Sequence, residues 1–183
     1  MRTQQKQQTR QRILQSATHA LRTRGVGAPS VGDVMGDAGL TVGGFYAHFD
    51  SKDALMLEAL EQVLAERRGY WEAHIPAGTR EERRKLAARG YLSRKHRDMA
   101  ETCCPLPAIL AEIPNLDDGF RAVLERHLQA LARQMDGGSE DAEERRTALA
   151  DLATMVGGLT LARALGPTAF SDEILSAAKS AIR

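Results

Sequence analysis

Apolar residues recur at helical spacing along most of this 183-residue chain, and this periodicity limits what the chain can fold into. Ile13, Ala17, Ala20 and Leu21 lie at i, i+4, i+7 and i+8, on one face of an α-helix. Ala, Leu, Arg and Glu recur throughout, whereas runs of β-branched residues are scarce. The pattern predicts an all-α protein of about nine helices without a strand.

Glycines and capping residues divide this pattern into separate helices. Gly25 suits the position that closes a first helix, and Ser30 with Asp33 predicts a capping box at the start of a second, short helix. Gly39 ends that helix, and Thr41 is a plausible N-cap for a third; two short helices joined by a glycine turn are typical of a helix-turn-helix. The small core that would fix the angle between these helices is formed by Val34, Leu40, Phe45 and Phe49. Predicted helices then cover residues 42–49, 52–74, 79–98, 108–113, 117–135 and 140–165, with a last one from near residue 172.

The composition excludes several classes of protein. Hydrophobic residues make up 43% and charged residues 27%, which is ordinary for a globular protein and too apolar for disorder. The chain has no uninterrupted apolar window of membrane-spanning length and no secretory signal, so we expect a cytoplasmic protein without a membrane partner. The first acidic residue is Asp33, after a run of basic residues that suits a polyanion; a frayed, solvated terminus is the alternative.

The run AGLTVGGFYAHFDSKDALMLEAL, residues 38–60, closely resembles the DNA-binding segment of the TetR family of bacterial transcriptional regulators. It matches every fixed position of that family's pattern, A-G-[VL]-[ST]-x-x-x-[FL]-Y-x-H-F-x-[SN]-K-x-x-L, and the resemblance extends over about residues 9–60. It implies a three-helix helix-turn-helix domain over residues 1–52 and a helical ligand-binding and dimerisation domain over residues 53–183.

The resemblance also implies which residues contact double-stranded DNA. Thr41 would cap the recognition helix and touch a phosphate, and Tyr46 and His48 would donate hydrogen bonds to phosphate oxygens. Lys52 would bring a cation to the same backbone. The alternatives are a capping or core-edge role for His48, and a solvated face for Tyr46 and Lys52. The predicted DNA-binding residues are Arg2, Lys6, Arg10, Ser30, Gly32, Thr41, Gly43, Gly44, Tyr46, His48 and Lys52.

The chain departs from the family pattern at two places. Met35 stands where the family most often has Ala, which predicts altered packing of the second helix. Gly32, Gly43 and Gly44 occupy base-facing positions without side chains, so close backbone approach or DNA shape would carry more of the discrimination. Each glycine weakens a helix by about 1 kcal/mol relative to Ala, which predicts a recognition helix that orders fully only on DNA.

For the rest of the chain, the resemblance implies a homodimer formed by the last two long helices, and a pocket for a small-molecule effector. Leu149, Leu152, Ala153, Val156 and Thr160 form an apolar stripe at helical spacing, with a matching stripe on the last helix. Core packing within one chain is the alternative for these stripes, and it is the alternative for each pocket residue. The predicted pocket residues are Trp71, Tyr91, Met99, Phe120, His127 and Met155.

Cys103 and Cys104 follow a basic segment, and nearby positive charge would favour the thiolate. Three interpretations stay open: a buried structural pair, a sensor of oxidants or electrophiles, and a soft-metal site with His96, although the spacing matches no closed metal site. We predict no metal and no cofactor.

Together these features predict a DNA-binding regulator, most simply a repressor released from a pseudo-palindromic operator by its effector. A thiol-dependent enzyme that uses the cysteines with His96 is the rival from another class. It is disfavoured because the sequence has no nucleophile elbow, phosphate loop or paired carboxylates.

Overall fold

The computed structural model describes residues 2–75, 78–99 and 104–182. Within these ranges the chain is helical and contains no strand, which confirms the predicted all-α class. The described helices are α1 (Arg2–Arg24), α2 (Val31–Asp37), the 3-10 helix η1 (Val42–Ala47), α3 (Lys52–His74), α4 (Arg80–Tyr91), α5 (Arg94–Asp98), α6 (Leu106–Ile109), the 3-10 helix η2 (Ile113–Asn115), α7 (Asp118–Asp136), α8 (Ala142–Leu165) and α9 (Ala169–Ala181).

The predicted turns before and after α2 are confirmed. Ser30 and Asp33 form a complete capping box, and Gly25 and Gly39 adopt left-handed backbone conformations with φ of 83° and 66°. The third helix differs from the prediction because η1 is a 3-10 helix rather than an α-helix. The Thr41 backbone has the extended geometry of an N-cap, but its side chain makes no capping hydrogen bond. Two adjacent glycines in η1 give little α-helical propensity, which fits a short 3-10 helix in place of an α-helix.

The predicted helix over residues 79–98 is wrong, because the chain forms two helices there, α4 and α5. The backbone leaves the helical conformation at Leu92, and the Ser93 side chain then accepts the His96 N–H and caps α5. The last helix, α9, begins at Ala169, earlier than predicted, because the Thr168 side chain caps it. Side-chain caps of this kind set helix ends more sharply than apolar periodicity does.

The helix-turn-helix is fixed by a small core between α1, α2, η1 and α3. Val34, Phe45 and Phe49 are buried there, as predicted, and Leu40 packs against them half-buried. The predicted domain boundary falls at the start of α3, a helix that packs against both α1 and α7. We call residues 2–52 the head; α3 carries its core continuously into the rest of the chain.

Helix α8 is the centre of the remaining helices, since it packs against α4, α5, α6, α7 and α9. It is also the one helix among the described residues that is long and apolar enough to cross a membrane. Only 39% of its most apolar window is buried. A single helix of this kind is weak evidence for a membrane span, because long core helices of other proteins have the same length and composition.

Candidate nucleic-acid interface and effector cavity

The recognition segment η1 is anchored by one ring and presents the rest of its surface to solvent. Phe45 is fully buried, and its ring contacts those of Tyr46 and Phe49 at centroid distances of 5.2 and 6.0 Å. Tyr46 is 72% exposed and Val42 is 51% exposed. The predicted DNA-facing positions of η1 are therefore accessible in this structure. Those positions are Thr41, Gly43, Gly44 and Tyr46, with Ser30 and Gly32 exposed on the neighbouring turn of α2.

The glycines and Met35 determine how closely α2 and η1 approach each other. Met35 is buried, and its terminal methyl lies 3.9 Å from where a Cβ at Gly44 would stand. The space around Gly43 is open, since no atom lies within 4 Å of its added Cβ. The long Met35 side chain thus packs beside Gly44, and Gly43 leaves the outer surface of η1 bare.

Ion pairs within the chain neutralise much of the basic charge of α1. Both terminal nitrogens of Arg10 donate to the Glu58 carboxylate, at 2.6 and 2.5 Å, and the guanidinium lies 4.4 Å from the Phe49 ring centroid. Arg22 and Arg24 each pair through a single terminal nitrogen, with Glu66 and Asp37 respectively. The sequence does not indicate these partners, because Glu58 and Glu66 are remote from α1 in sequence and come close to it only when α3 packs against α1.

Lys6 is exposed, whereas the Arg2 side chain lies outside the described part of the structure. Lys6 and Arg10 are close enough to His48 to influence it. Burial lowers the pKa of half-buried His48, and the two cations lower it further. An approaching phosphate would have the opposite effect, because a negative charge favours the imidazolium. If His48 contacts a phosphate as predicted, DNA binding would therefore raise its pKa.

Two side chains hold the Gly25–Gly27 loop, which connects α1 to α2. Lys52 donates from Nζ to the Gly27 carbonyl oxygen at 2.7 Å. From the opposite direction, the Glu112 carboxylate accepts the Gly27 N–H at 2.5 Å and the Val26 N–H at 3.1 Å. A Cβ at Gly25 would overlap the Glu112 carboxylate. The sequence does not reveal that Glu112 contacts the head, because the two segments are far apart in the chain and are brought together only by the fold.

A cavity of about 510 Å³ lies among α3, α4 and α5. Three of the predicted pocket residues, Trp71, Tyr91 and Met99, line it. Other side chains in its wall include Arg67, Tyr70, His74, Lys95 and His96. The other three predicted residues, Phe120, His127 and Met155, are buried in the core and are not among the residues that line this cavity.

His96 links the cavity wall to the cysteine segment. Its Nδ1 lies 2.8 Å from the Tyr91 carbonyl oxygen, and its Nε2 accepts the Cys104 N–H at 3.1 Å. Burial lowers the pKa of His96 to about 4, so the ring is neutral at neutral pH. Both ring nitrogens are engaged by backbone groups, which leaves neither available as a metal ligand or as a base for the thiol.

The Cys104 thiol is buried and accepts a hydrogen bond from the Tyr91 hydroxyl at 3.3 Å. Burial raises the pKa of Cys104, and this effect outweighs the nearby arginines that favour the thiolate. The expectation of a thiolate-favouring site is therefore wrong for Cys104, whereas Cys103 lies outside the described residues.

Helix α8 presents an exposed apolar stripe that shares only Leu149 and Ala153 with the predicted one. Leu152 and Val156 of the predicted stripe are buried within the chain. Gly158 lies at the contact with α9, where its added Cβ would stand 2.8 Å from that of Ala178. The outward face instead repeats every fourth residue through Leu149, Ala153, Gly157, Leu161 and Leu165, the three leucines being 45%, 58% and 44% exposed.

Residues 13–59 match the family model of the bacterial regulatory proteins of the tetR family. This segment is a TetR-family helix-turn-helix. The match confirms the resemblance carried by residues 38–60 and, together with the HTH-type relative described next, supports a DNA-binding transcriptional regulator. The DNA contacts assigned to individual residues stay predictions.

Known proteins agree with this assignment. Over 133 residues the chain is 25% identical to an HTH-type transcriptional regulator in the lacX 3′ region of Lactococcus lactis subsp. lactis, a match of 69% of this chain and 66% of that protein. Among solved structures, E. coli NemR in its reduced form has a TM-score of 0.81 at 18% identity over 96% of this chain and 95% of its own. A TetR-family regulator from Cytophaga hutchinsonii has a TM-score of 0.76 at 20% identity, over 97% of this chain and 94% of its own. These structures share the fold of an N-terminal helix-turn-helix followed by a helical domain.

Proposed function

We propose that this TetR-family regulator is a cytoplasmic repressor that binds a pseudo-palindromic operator as a homodimer and leaves it when a small molecule fills the cavity. The observation that carries the proposal is the path of the segment from Cys104 to Glu112. At one end Cys104 forms hydrogen bonds with two residues of the cavity wall: its thiol accepts from the Tyr91 hydroxyl, and its N–H donates to His96. At the other end Glu112 binds the loop just before the helix-turn-helix.

Effector release follows from this connection. A ligand that moves the cavity wall shifts the backbone of Cys104, because the Cys104 N–H and carbonyl are both hydrogen-bonded, to His96 and to Arg163. Helix α6 packs against both α1 and α8 and passes the shift to Glu112. Because close-packed elements move as units, the two heads of a dimer then change their relative placement on DNA.

DNA binding is tested with Lys52. Fluorescence anisotropy with the promoter DNA next to the protein's own gene should show weaker binding for Lys52→Ala on every sequence. The slope of log affinity against log salt should be smaller by about one ion, as for a lost phosphate contact. Lys52→Gln keeps a hydrogen-bond donor for the Gly27 carbonyl and should lose the same slope, while Lys179→Gln on α9 is the control. A changed sequence preference at an unchanged slope would contradict the phosphate assignment.

Dimerisation is tested on the outward stripe of α8. Leu161→Asp places a charge on an apolar face that a second copy would bury, so light scattering should show monomers that remain helical. Operator affinity should fall by about a hundredfold or more, because the two heads no longer bind together. Leu86→Asp makes the same change at an exposed leucine of α4, and this control should stay dimeric. A dimeric Leu161→Asp protein would place the interface elsewhere.

A second candidate function is sensing of oxidants or electrophiles through Cys104, favoured by its contact with the cavity residue Tyr91. The structural relative NemR is described in a reduced form. The raised pKa of the buried thiol slows its reaction, so this function ranks second. Peroxide or an alkylating agent should release wild-type protein from DNA and leave a Cys103→Ser/Cys104→Ser variant bound. Equal behaviour of the two proteins would make the thiols structural.

A further inference from the structure

The cavity described above carries a positive charge that nothing in its described wall balances. Arg67 and Lys95 line it, and none of the lining residues that the structure describes is acidic. The described residues include no ion pair for Arg67, and its Nε is buried without a hydrogen-bond partner among them. Other arginines of the region, such as Arg84 and Arg97, are paired with aspartates. Arg67 is thus a cation at the cavity with no carboxylate partner among the residues that the structure describes.

The other polar groups of the wall do not supply the missing negative charge. Burial keeps His96 neutral and raises the pKa of Tyr91, so that Tyr91 keeps its proton. Arg163 donates to the carbonyl oxygens of Cys104 and His96. The charged side chains of the described wall at neutral pH are therefore Arg67 and Lys95, and both are cations.

Aromatic rings form the apolar part of the cavity. Trp71 and Tyr91 meet edge-to-face at 6.2 Å, and Tyr70 stacks on His74 at 3.9 Å. The Arg67 guanidinium lies 4.6 Å from the Tyr70 ring centroid, which fixes the cation beside these rings. A volume of about 510 Å³ is in the range of cavities that hold small organic ligands.

We propose that the cavity binds an aromatic carboxylate, with Arg67 pairing with the carboxylate and the Trp71–Tyr91 wall packing against the ring. The inference rests on the proposed function, because it names the chemical class of the effector that the repressor answers to. Arg presents a planar set of donors that matches a carboxylate, and such charged hydrogen bonds are about twice as strong as neutral ones. Exposed Lys95 adds a weaker, screened attraction at the mouth.

The test uses three probes that share one skeleton and differ in charge: 4-phenylbutyrate, 4-phenylbutanol and 4-phenylbutylamine. Trp71 is the only tryptophan of the chain, so its fluorescence reports binding at the cavity itself. The phenyl ring does not absorb where tryptophan is excited, so the signal is free of interference. Titrations up to millimolar concentration should give about tenfold tighter binding for the carboxylate than for the alcohol, and the weakest binding for the amine.

Variants of Arg67 make the assignment specific. Arg67→Gln should remove the tenfold advantage of the carboxylate and leave the affinity for the alcohol unchanged, whereas Arg67→Lys should keep most of it. Arg68→Gln is the matched control. Arg68 is the next residue along α3, but its guanidinium contacts His127 at 3.3 Å and is not part of the cavity wall. The proposal is overturned if the alcohol or the amine binds as tightly as the carboxylate. It is also overturned if the preference survives Arg67→Gln, or if Trp71 responds to none of the probes.

Operator release in the same samples separates this inference from the proposed function. If 4-phenylbutyrate binds with the expected preference and the protein stays on DNA, the ligand class stands and effector-controlled repression fails. If only the alcohol or the amine releases the operator, effector control stands and the aromatic carboxylate is wrong.

Discussion

The head and the cavity region treat their polar groups in opposite ways. In the head, the buried residues around Phe45 are apolar, and the polar groups of η1 point outward to solvent. In the cavity region, by which we mean the helices α3 to α9, ionisable side chains are themselves buried: His96 in the cavity wall, and His127 and Asp151 in the core beside it. A surface that binds a charged polymer needs a rigid apolar support, whereas a cavity that binds small molecules needs polar groups inside. The two regions should therefore fail under different perturbations.

The largest expected effect separates the two apolar cores. Phe45→Ala and Phe120→Ala each remove a buried ring and should lower the free energy of unfolding by about 3–5 kcal/mol. Only Phe45→Ala should also abolish operator binding at a temperature where both variants remain helical, because it removes the anchor of η1. Thermal unfolding by circular dichroism and anisotropy on operator DNA measure the two effects. Equal loss of DNA binding in both variants would show that the head does not depend on its own core.

Acid should act on the cavity region. His96 and His127 have pKa values of about 4, below the ordinary value of 6.5, because burial disfavours the charged ring. The unfolded chain therefore binds protons first as the pH falls, and stability is lost between about pH 6.5 and 4, by roughly 2–3 kcal/mol for each residue. His127→Leu should flatten the dependence of the urea midpoint on pH in this window. The urea midpoints of both proteins are compared with their own values at pH 7. If the variant loses as much stability in acid as the wild type, His127 does not contribute to the acid sensitivity.

The sequence predicts the head well because its signals are local. The capping box of Ser30 and Asp33, the left-handed glycines and the buried Phe45 and Phe49 are all found as expected. The head's contacts with the remainder of the chain escaped prediction. Glu112 reaches the Gly25–Gly27 loop across a long stretch of sequence, so no spacing rule can pair them.

The cavity shows the same limit more strongly. Large aromatic and Met side chains were the predicted lining, but Phe120, His127 and Met155 lie in the core. Periodicity predicts which residues face the interior of the protein. It does not distinguish a residue packed in the core from one that lines a cavity, because that difference depends on how α3, α4 and α5 are placed. The break between α4 and α5, missed by the helical pattern, is what brings His96 into the wall.

The junction between the two regions can be tested at a glycine. Gly25→Ala forces a side chain into a backbone with φ of 83° and against Glu112, so we expect a loss of about 1–3 kcal/mol in stability. Gly36→Ala is the control inside α2, where the added Cβ meets no atom within 4 Å, and it should stabilise by about 0.5–1 kcal/mol. Chemical denaturation of both variants gives the comparison. A neutral Gly25→Ala would mean that the Glu112 contact contributes little.

The smallest expected effect is that of a methyl group added at Gly43, on the bare outer surface of η1. Gly43 has no positive φ and no neighbour within 4 Å of an added Cβ, so Gly43→Ala should raise stability by about 0.5–1 kcal/mol through the unfolded chain. If the backbone of Gly43 approaches DNA closely, the same methyl group must weaken operator binding, whereas Gly36→Ala leaves it unchanged. We expect stability and operator affinity to change in opposite directions at Gly43. If operator affinity instead rises together with stability, Gly43 serves only to keep η1 flexible. The cost of DNA binding at this position would then be the ordering of η1, and not a close approach of its backbone to DNA.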